Sequence, residues 1–91
     1  MATYMVGYDL NKKGQSYTDL IKALEGFDVW WHCLDSTWLV NSNSKAIDIV
    51  NYLAQFIDSN DELLVIEIPV GAGAAWIGFD KPCSDWLKNN L

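Results

Sequence analysis

Hydrophobic and polar positions follow one another along the chain in blocks that predict strands alternating with helices. β-prone and mostly apolar stretches lie at residues 3–9, 29–34, 37–41 and 62–70. Apolar residues at helical spacing form one stripe at positions 17, 20, 21 and 24, and a second stripe between residues 45 and 57. A short fifth strand is expected at 75–79, followed by a short tail at 81–91.

This order of elements predicts the α+β class and a ferredoxin-like βαββαβ fold with an extra short C-terminal strand. An antiparallel sheet would be covered on one face by two helices. Asp35 and Ser36 supply the turn of a hairpin between the second and third strands. Leu10 to Gln15 reads as a loop, and Ser16 with Asp19 resembles a capping box at the start of the first helix.

The second face of this sheet is predicted to be apolar. In the fourth strand all residues from Leu63 to Ile66 are apolar, so apolar side chains point to both faces of the sheet. Trp30 is next to Trp31, so one of the two indoles faces away from the helices. A large exposed apolar face usually marks an interface. We therefore expect a homodimer with two-fold symmetry. The alternative is that the tail around Trp86 folds back over this face.

Composition narrows the class of protein. The chain has 91 residues, which predicts a single domain spanning 1–91, and its net charge is -6 with Lys as its only strongly basic residue type. An acidic chain without Arg disfavours sequence-independent binding of phosphates. Its apolar runs are too short to span a membrane, and its start lacks the basic region of a secretory signal, so a cytoplasmic location is expected.

The two cysteines, Cys33 and Cys83, lie fifty residues apart and form no CxxC motif. In a cytoplasmic protein they are expected to be reduced, small apolar side chains, with a disulfide between them as the alternative.

Asp9 is the strongest candidate for a catalytic or metal-binding residue, because its carboxylate directly follows an apolar strand. Such a carboxylate can hold Mg2+, and in a symmetric dimer the two Asp9 side chains could face each other and share a metal or a proton. The alternative is an Asp that ends the strand and caps the following loop.

Other polar residues favour structural roles. His32 could be a general base or a zinc ligand with Cys33, but neighbours on a strand point to opposite faces, so a packed structural His is favoured. Ser36 is expected to form a turn, and Gly71 to Gly73, without the Lys of a phosphate loop, a flexible connector. The aromatic residues Tyr4, Tyr8 and Trp38 could stack on RNA bases, but packing in the core or a dimer is favoured, since basic neighbours are missing.

Several short motifs resemble known families. YMVGYDL, with its Tyr8-Asp9 pair, then Gly26, Ser36 with Trp38, and Asp61 before the run from Leu63 to Ile66 are similar to the small dimeric CRISPR-associated protein of spacer acquisition. YDLNK, LDSTW and DSNDELLV resemble short bacterial SinR-like proteins more closely. The virulence-associated protein D ribonucleases are a more distant relation. The chain departs from the CRISPR family in having Lys12 and Lys13 where Arg is usual and Leu34 where Gln is usual.

The resemblance implies a ferredoxin-like homodimer in which Asp9 matches a metal-binding and nuclease residue at the dimer interface, with Mg2+ as the cofactor. Two functions follow as hypotheses. The first is a non-catalytic dimeric module that binds a protein partner. The second is a metal-dependent endonuclease, acting on RNA or DNA through paired Asp9 carboxylates.

Overall fold

A computed structural model describes residues 1–11 and 17–91, and these form a four-stranded sheet and three helices. In chain order the elements are β1 (Ala2–Asp9), α1 (Thr18–Glu25), β2 (Val29–Leu34), β3 (Thr37–Ser42), α2 (Ala46–Ala54), β4 (Glu62–Ile68) and α3 (Lys81–Asn90). The predicted loop from residue 12 onward and the capping residue Ser16 lie outside the described residues.

The sheet is antiparallel throughout, in the order β2-β3-β1-β4. This α+β arrangement confirms the predicted class and is compatible with a small ferredoxin-like fold. β2 and β4 form the two edges, while β1 and β3 lie in the centre. The β1–β4 register continues without a shift from Thr3 opposite Ile68 to Asp9 opposite Glu62, whereas the β2–β3 register shifts between Trp31 and Leu34.

α1 and α2 cover one face of the sheet, as the apolar stripes predicted. Leu20 and Leu24 of α1, with Ile49 and Leu53 of α2, pack on the side chains at even positions of β1 and β3. α2 ends at Ala54, and the residues after it that were assigned to the same stripe, Phe56 and Ile57, still pack against this core outside the helix. We call this the helix-side core.

The predicted fifth strand is not formed. Residues 75–79 contain no strand, and the tail beyond them is the helix α3. The side chain of Asp80 accepts a hydrogen bond from the backbone N–H of Cys83 at 3.1 Å, and Pro82 stands in the first turn of α3. An Asp cap followed by an early Pro favours a helix start over a strand.

Residues 69–91, which we call the C-terminal cover, lie on the second face of the sheet. Leu87 of α3 is buried against Trp31 and Leu39, and Trp76, Phe79 and Trp86 pack around them. The alternative that the tail folds back is therefore the one observed over β2 and β3, and that part of the face is not free for a second copy.

Cys33 and Cys83 are joined by a disulfide bond, with their Cα atoms 6.4 Å apart. The expectation of two reduced cysteines is thus wrong for this structure. The bond is possible because β2 turns Cys33 toward the second face, where α3 begins. No helix in the described ranges 1–11 and 17–91 is both long and apolar enough to cross a membrane.

Candidate functional site

Asp9 lies at the last position of β1 with an exposed side chain. Its partner in the sheet is Glu62, the first residue of β4. Directly opposed residues of an antiparallel pair present their side chains on the same face, with Cβ atoms about 5 Å apart. The two carboxylates therefore border the same end of the sheet, beside an open groove of about 380 Å³ that Ser36 also lines.

Hydrogen bonds beyond Asp9 fix the shape of this end of the sheet. The backbone N–H of Asn11 donates to Asp61 Oδ1 at 2.8 Å, and the Tyr17 hydroxyl donates to the same oxygen at 2.9 Å. The amide of Asn11 donates to the carbonyl of Asn60 at 2.8 Å and to Glu62 Oε1 at 3.2 Å. Asp61 and Asn11 thus tie the chain after β1 to the chain before β4, a structural role.

Asp9 and Glu62 are the two carboxylates of one chain that border this groove. Among the described residues no group of three or more His, Cys, Asp and Glu side chains is placed to hold one. Mg2+ is often bound by one or two carboxylates together with water and substrate phosphates. Asp9 and Glu62 meet that minimal requirement, with Glu62 already accepting a bond from Asn11.

Ser36 and its neighbour behave as turn residues. The carbonyl oxygen of Ser36 accepts a hydrogen bond from the backbone N–H of Tyr8 at 3.1 Å, and the carbonyl of Asp35 lies 3.4 Å from the Tyr8 hydroxyl. The hairpin turn is therefore fastened to the end of β1, close to Asp9, through its backbone.

His32 is a packed structural residue, as predicted. Its ring stacks on the indole of Trp38 with centroids 3.9 Å apart and planes 12° apart, and its Nε2 lies 3.1 Å from the carbonyl oxygen of Asp35. Cys33 points to the opposite face, where it bonds to Cys83. A shared zinc site of His32 and Cys33 is incompatible with this geometry.

The aromatic residues considered for RNA stacking are buried in the helix-side core. Tyr4, Tyr8 and Trp38 expose 2%, 9% and 1% of their surface. The Tyr4 hydroxyl donates to the carbonyl of Ser44 at 2.6 Å and lies 3.5 Å from Glu67 Oε1. Burial, with a further contribution from the Glu67 carboxylate, raises the pKa of Tyr4. The expectation of core packing is confirmed for these three rings.

An apolar strip remains uncovered on the second face. Leu64 and Ile66 of β4 expose 53% and 45% of their surface. Their partners in β1 are Gly7 and Met5, so both lie on the face that carries the C-terminal cover but beyond its reach. We call these two residues the β4 strip. The apolar pattern of the fourth strand indicated it, but the pattern could not show which part of the face the tail would cover.

A second groove that the sequence did not indicate lies where α1 and α2 meet. It has a volume of about 300 Å³, and its lining includes Phe27, Tyr52, Ile49 and the carboxylate of Asp48. Its residues come from the end of α1 and the segment just after it, and from the first two turns of α2 and the segment just before it, so no local motif marks it.

Comparisons with models of known protein families, with curated proteins and with solved structures found no match.

Proposed function

We propose that the chain is a homodimeric ferredoxin-like module that binds a protein partner and has no catalytic role, and that two copies meet along β4. The observation that carries this proposal is the exposure of Leu64 and Ile66 on a regular edge strand. An edge strand presents unpaired N–H and C=O groups that can pair with another chain. Apolar side chains beside those groups add surface that association would bury.

The two edges of the sheet differ in a way that favours β4. β2 has an irregularity between Trp31 and Leu34, and such bulges twist an edge and blunt it. β4 has a continuous register with β1 from Glu62 to Ile68 and contains neither Lys nor Pro, the residues that commonly protect an edge. Pro69 follows only where the strand has ended.

The sequence of β4 is self-complementary about its centre. A two-fold axis at Val65 would place Leu64 of each copy opposite Ile66 of the other, on the face of the β4 strip. The same register would set Glu62 opposite Ile68 and Glu67 opposite Leu63, so that no two carboxylates stand directly opposite each other. Like charges directly opposite are destabilising, so this register is the favourable one.

The oligomeric state tests the proposal. Sedimentation equilibrium of the wild-type chain should give the mass of a dimer, and Ile66→Lys should give a monomer, because the ammonium would be buried at the interface. Ile77→Lys is the matched control, since Ile77 is 95% exposed and lies outside β4. It should leave the dimer intact.

Far-UV circular dichroism would show that both variants are folded. A monomeric wild type, or Ile66→Lys dimers as stable as those of the control, would contradict the proposed interface.

The charge of the chain supports a protein partner over nucleic acid. Net charge is -6, and Asp9, Glu62 and Glu67 lie on or beside the β4 edge. Binding that depends on phosphates needs a basic surface and weakens steeply with salt. We expect no binding of single- or double-stranded DNA or RNA at physiological salt. Tight binding there would argue against the proposal.

The second candidate is a metal-dependent endonuclease with Mg2+ held at paired Asp9 carboxylates. The position of Asp9 beside Glu62 at an open groove favours it. It requires the Asp9 residues of two copies to lie close together. In the β4 register above, the two Asp9 residues would lie far apart. Asp9 pairs with Glu62, and the Glu62 residues of the two copies would lie at opposite ends of the interface. The two candidates therefore predict different dimers.

Cleavage assays separate them. The nuclease candidate expects RNA or DNA cleavage that requires Mg2+ or Mn2+ and disappears in Asp9→Asn, while the mass of the dimer is unchanged. The same cleavage in Asp9→Asn, or none with either metal, would count against it. Kinship with the SinR-like and CRISPR-associated families, which rests on the sequence motifs, and a cytoplasmic location complete the proposal.

A further inference from the structure

We propose that the Cys33–Cys83 disulfide is a reversible latch, and that its reduction releases the C-terminal cover from the sheet. Cys33 belongs to β2, while Cys83 lies in the first turn of α3. The bond therefore joins the sheet to the start of the helix that lies on it. This inference does not depend on the dimer or the function proposed above.

The noncovalent contacts of the cover bury one of its side chains. Leu87 is the buried side chain of α3, whereas Trp76, Phe79 and Trp86 are half-buried, and Val70 and Ile77 are exposed. Within the described part of the chain, two side-chain hydrogen bonds join the cover to the sheet. Trp31 donates to the carbonyl of Cys83 at 3.1 Å, and Asn41 donates to Asn90 Oδ1 at 3.4 Å.

The bond to the carbonyl of Cys83 depends on the latch itself, because the disulfide fixes the position of that residue. Other polar contacts of the cover are internal to it, such as the Trp76 indole N–H with Ser84 Oγ at 3.0 Å and Lys81 with Asp85. They keep the shape of the cover but do not attach it. Segments with few buried apolar contacts open at a small fraction of the global free energy of unfolding.

Both cysteines are half-buried, so the bond does not lie in the closed interior of the fold. One thiolate of a dithiol attacks a sulfur of the Cys33–Cys83 bond and forms a mixed disulfide, and its second thiol then displaces the protein sulfur. Cys33 and Cys83 gain two electrons and two protons, and the dithiol becomes a disulfide. An oxidised dithiol of higher potential reverses the reaction.

Release would uncover Trp31 and Leu39 on the second face. Met5 is the sheet neighbour of both Leu39 and Ile66, so the uncovered residues are continuous with the β4 strip. The latch thus controls whether the apolar part of this face is small or large. Where a disulfide forms in a reducing compartment it is usually transient, with a catalytic or redox-sensing role, and a latch of this kind would be one.

Limited digestion with a protease that cleaves after Lys tests the latch. The chain has no Arg, and the bond after Lys81 is protected by Pro82. Lys88 is then the one cleavable site inside the cover, and its cleavage removes residues 89–91, a loss that mass spectrometry detects. Protein treated with dithiothreitol and desalted should be cleaved at Lys88 about tenfold faster than oxidised protein. The double variant Cys33→Ser, Cys83→Ser should be cleaved at the faster rate whether or not it is treated.

Lys22 and Lys45 lie outside the cover and serve as internal controls, and their cleavage rates should not change on reduction. Equal acceleration at all three sites would mean that the whole fold loosens, which would overturn the proposal. Unchanged cleavage at Lys88 after reduction, or two free thiols in protein purified without reductant, would overturn it as well.

Discussion

The indole N–H of Trp38 donates a hydrogen bond to the hydroxyl of Tyr8 at 3.0 Å, inside the helix-side core. The same hydroxyl lies 3.4 Å from the carbonyl of Asp35 in the hairpin turn. One buried oxygen therefore connects β1, β3 and the β2–β3 turn. Because the surroundings are apolar, the indole N–H would have no water as an alternative acceptor if this oxygen were removed.

Tyr8→Phe should lower the free energy of unfolding by about 1–3 kcal/mol, because the Trp38 N–H would be buried without an acceptor. Urea denaturation followed by circular dichroism measures the change. Tyr52→Phe is the control, since Tyr52 lies on α2 and is 45% exposed. Equal midpoints for the two variants would show that the Tyr8 hydroxyl contributes little.

Tyr4 should make the fold sensitive to alkaline pH. Burial and the nearby Glu67 raise the pKa of Tyr4 above its ordinary value of 10.0. The unfolded chain then loses this proton at a lower pH than the native state does. The resulting stabilisation is fully present below pH 10.0 and is lost as the pH rises through the native pKa.

Urea midpoints at several pH values from 8 to 11, compared between wild type and Tyr4→Phe, measure this contribution. The variant should be less stable at neutral pH, since it loses the bond to Ser44, but its stability should fall less steeply above pH 10.0. Parallel curves for the two proteins would contradict the assignment.

The sequence predicted the helix-side core well because local periodicity determines it. The stripes at Leu20 and Leu24 and at Ile49 and Leu53 lie where helical spacing placed them, and the hairpin turn falls at Asp35 and Ser36. Asp9 ends β1 as expected, but its neighbour Glu62 depends on the β1–β4 register. That register is a long-range property that no local pattern contains.

The arrangement on the second face was harder to predict from the sequence, because competing long-range contacts determine which segment covers it. The run at Ala75 to Phe79 is β-prone, yet it pairs with neither edge strand of the sheet. Trp76 and Phe79 instead pack on Trp31. Asp80 and Pro82 were the available signal for a helix start after this run. The pairing of Cys33 with Cys83 follows from that helix, and spacing alone could not show it.

Asp9→Asn should stabilise the fold slightly at neutral pH. Asp9 and Glu62 are like charges directly opposite on adjacent strands, an arrangement that destabilises a sheet by up to about 1 kcal/mol. Removing one charge should raise the urea midpoint at low ionic strength, and the gain should shrink in 1 M salt because exposed charges are screened. Asp28→Asn, at an exposed position between α1 and β2, is the control. A decrease in stability would show that the Asp9 carboxylate has a partner that the neutral amide cannot replace.

Leu87 and Leu53 offer a matched comparison of the two faces, since they are 4% and 0% exposed. Leu53→Ala should cost about 2–5 kcal/mol of global stability, with or without the disulfide, because the helix-side core cannot open separately. In oxidised protein Leu87→Ala should also destabilise the fold. The latch holds α3 on the sheet, so the substitution leaves a cavity against Trp31 and Leu39. In reduced protein the cover is already free to leave the sheet, so the same substitution should change the global free energy of unfolding by less than about 1 kcal/mol. A large loss for Leu87→Ala in reduced protein would show that α3 stays docked without the disulfide. The second face would then be held by packing alone.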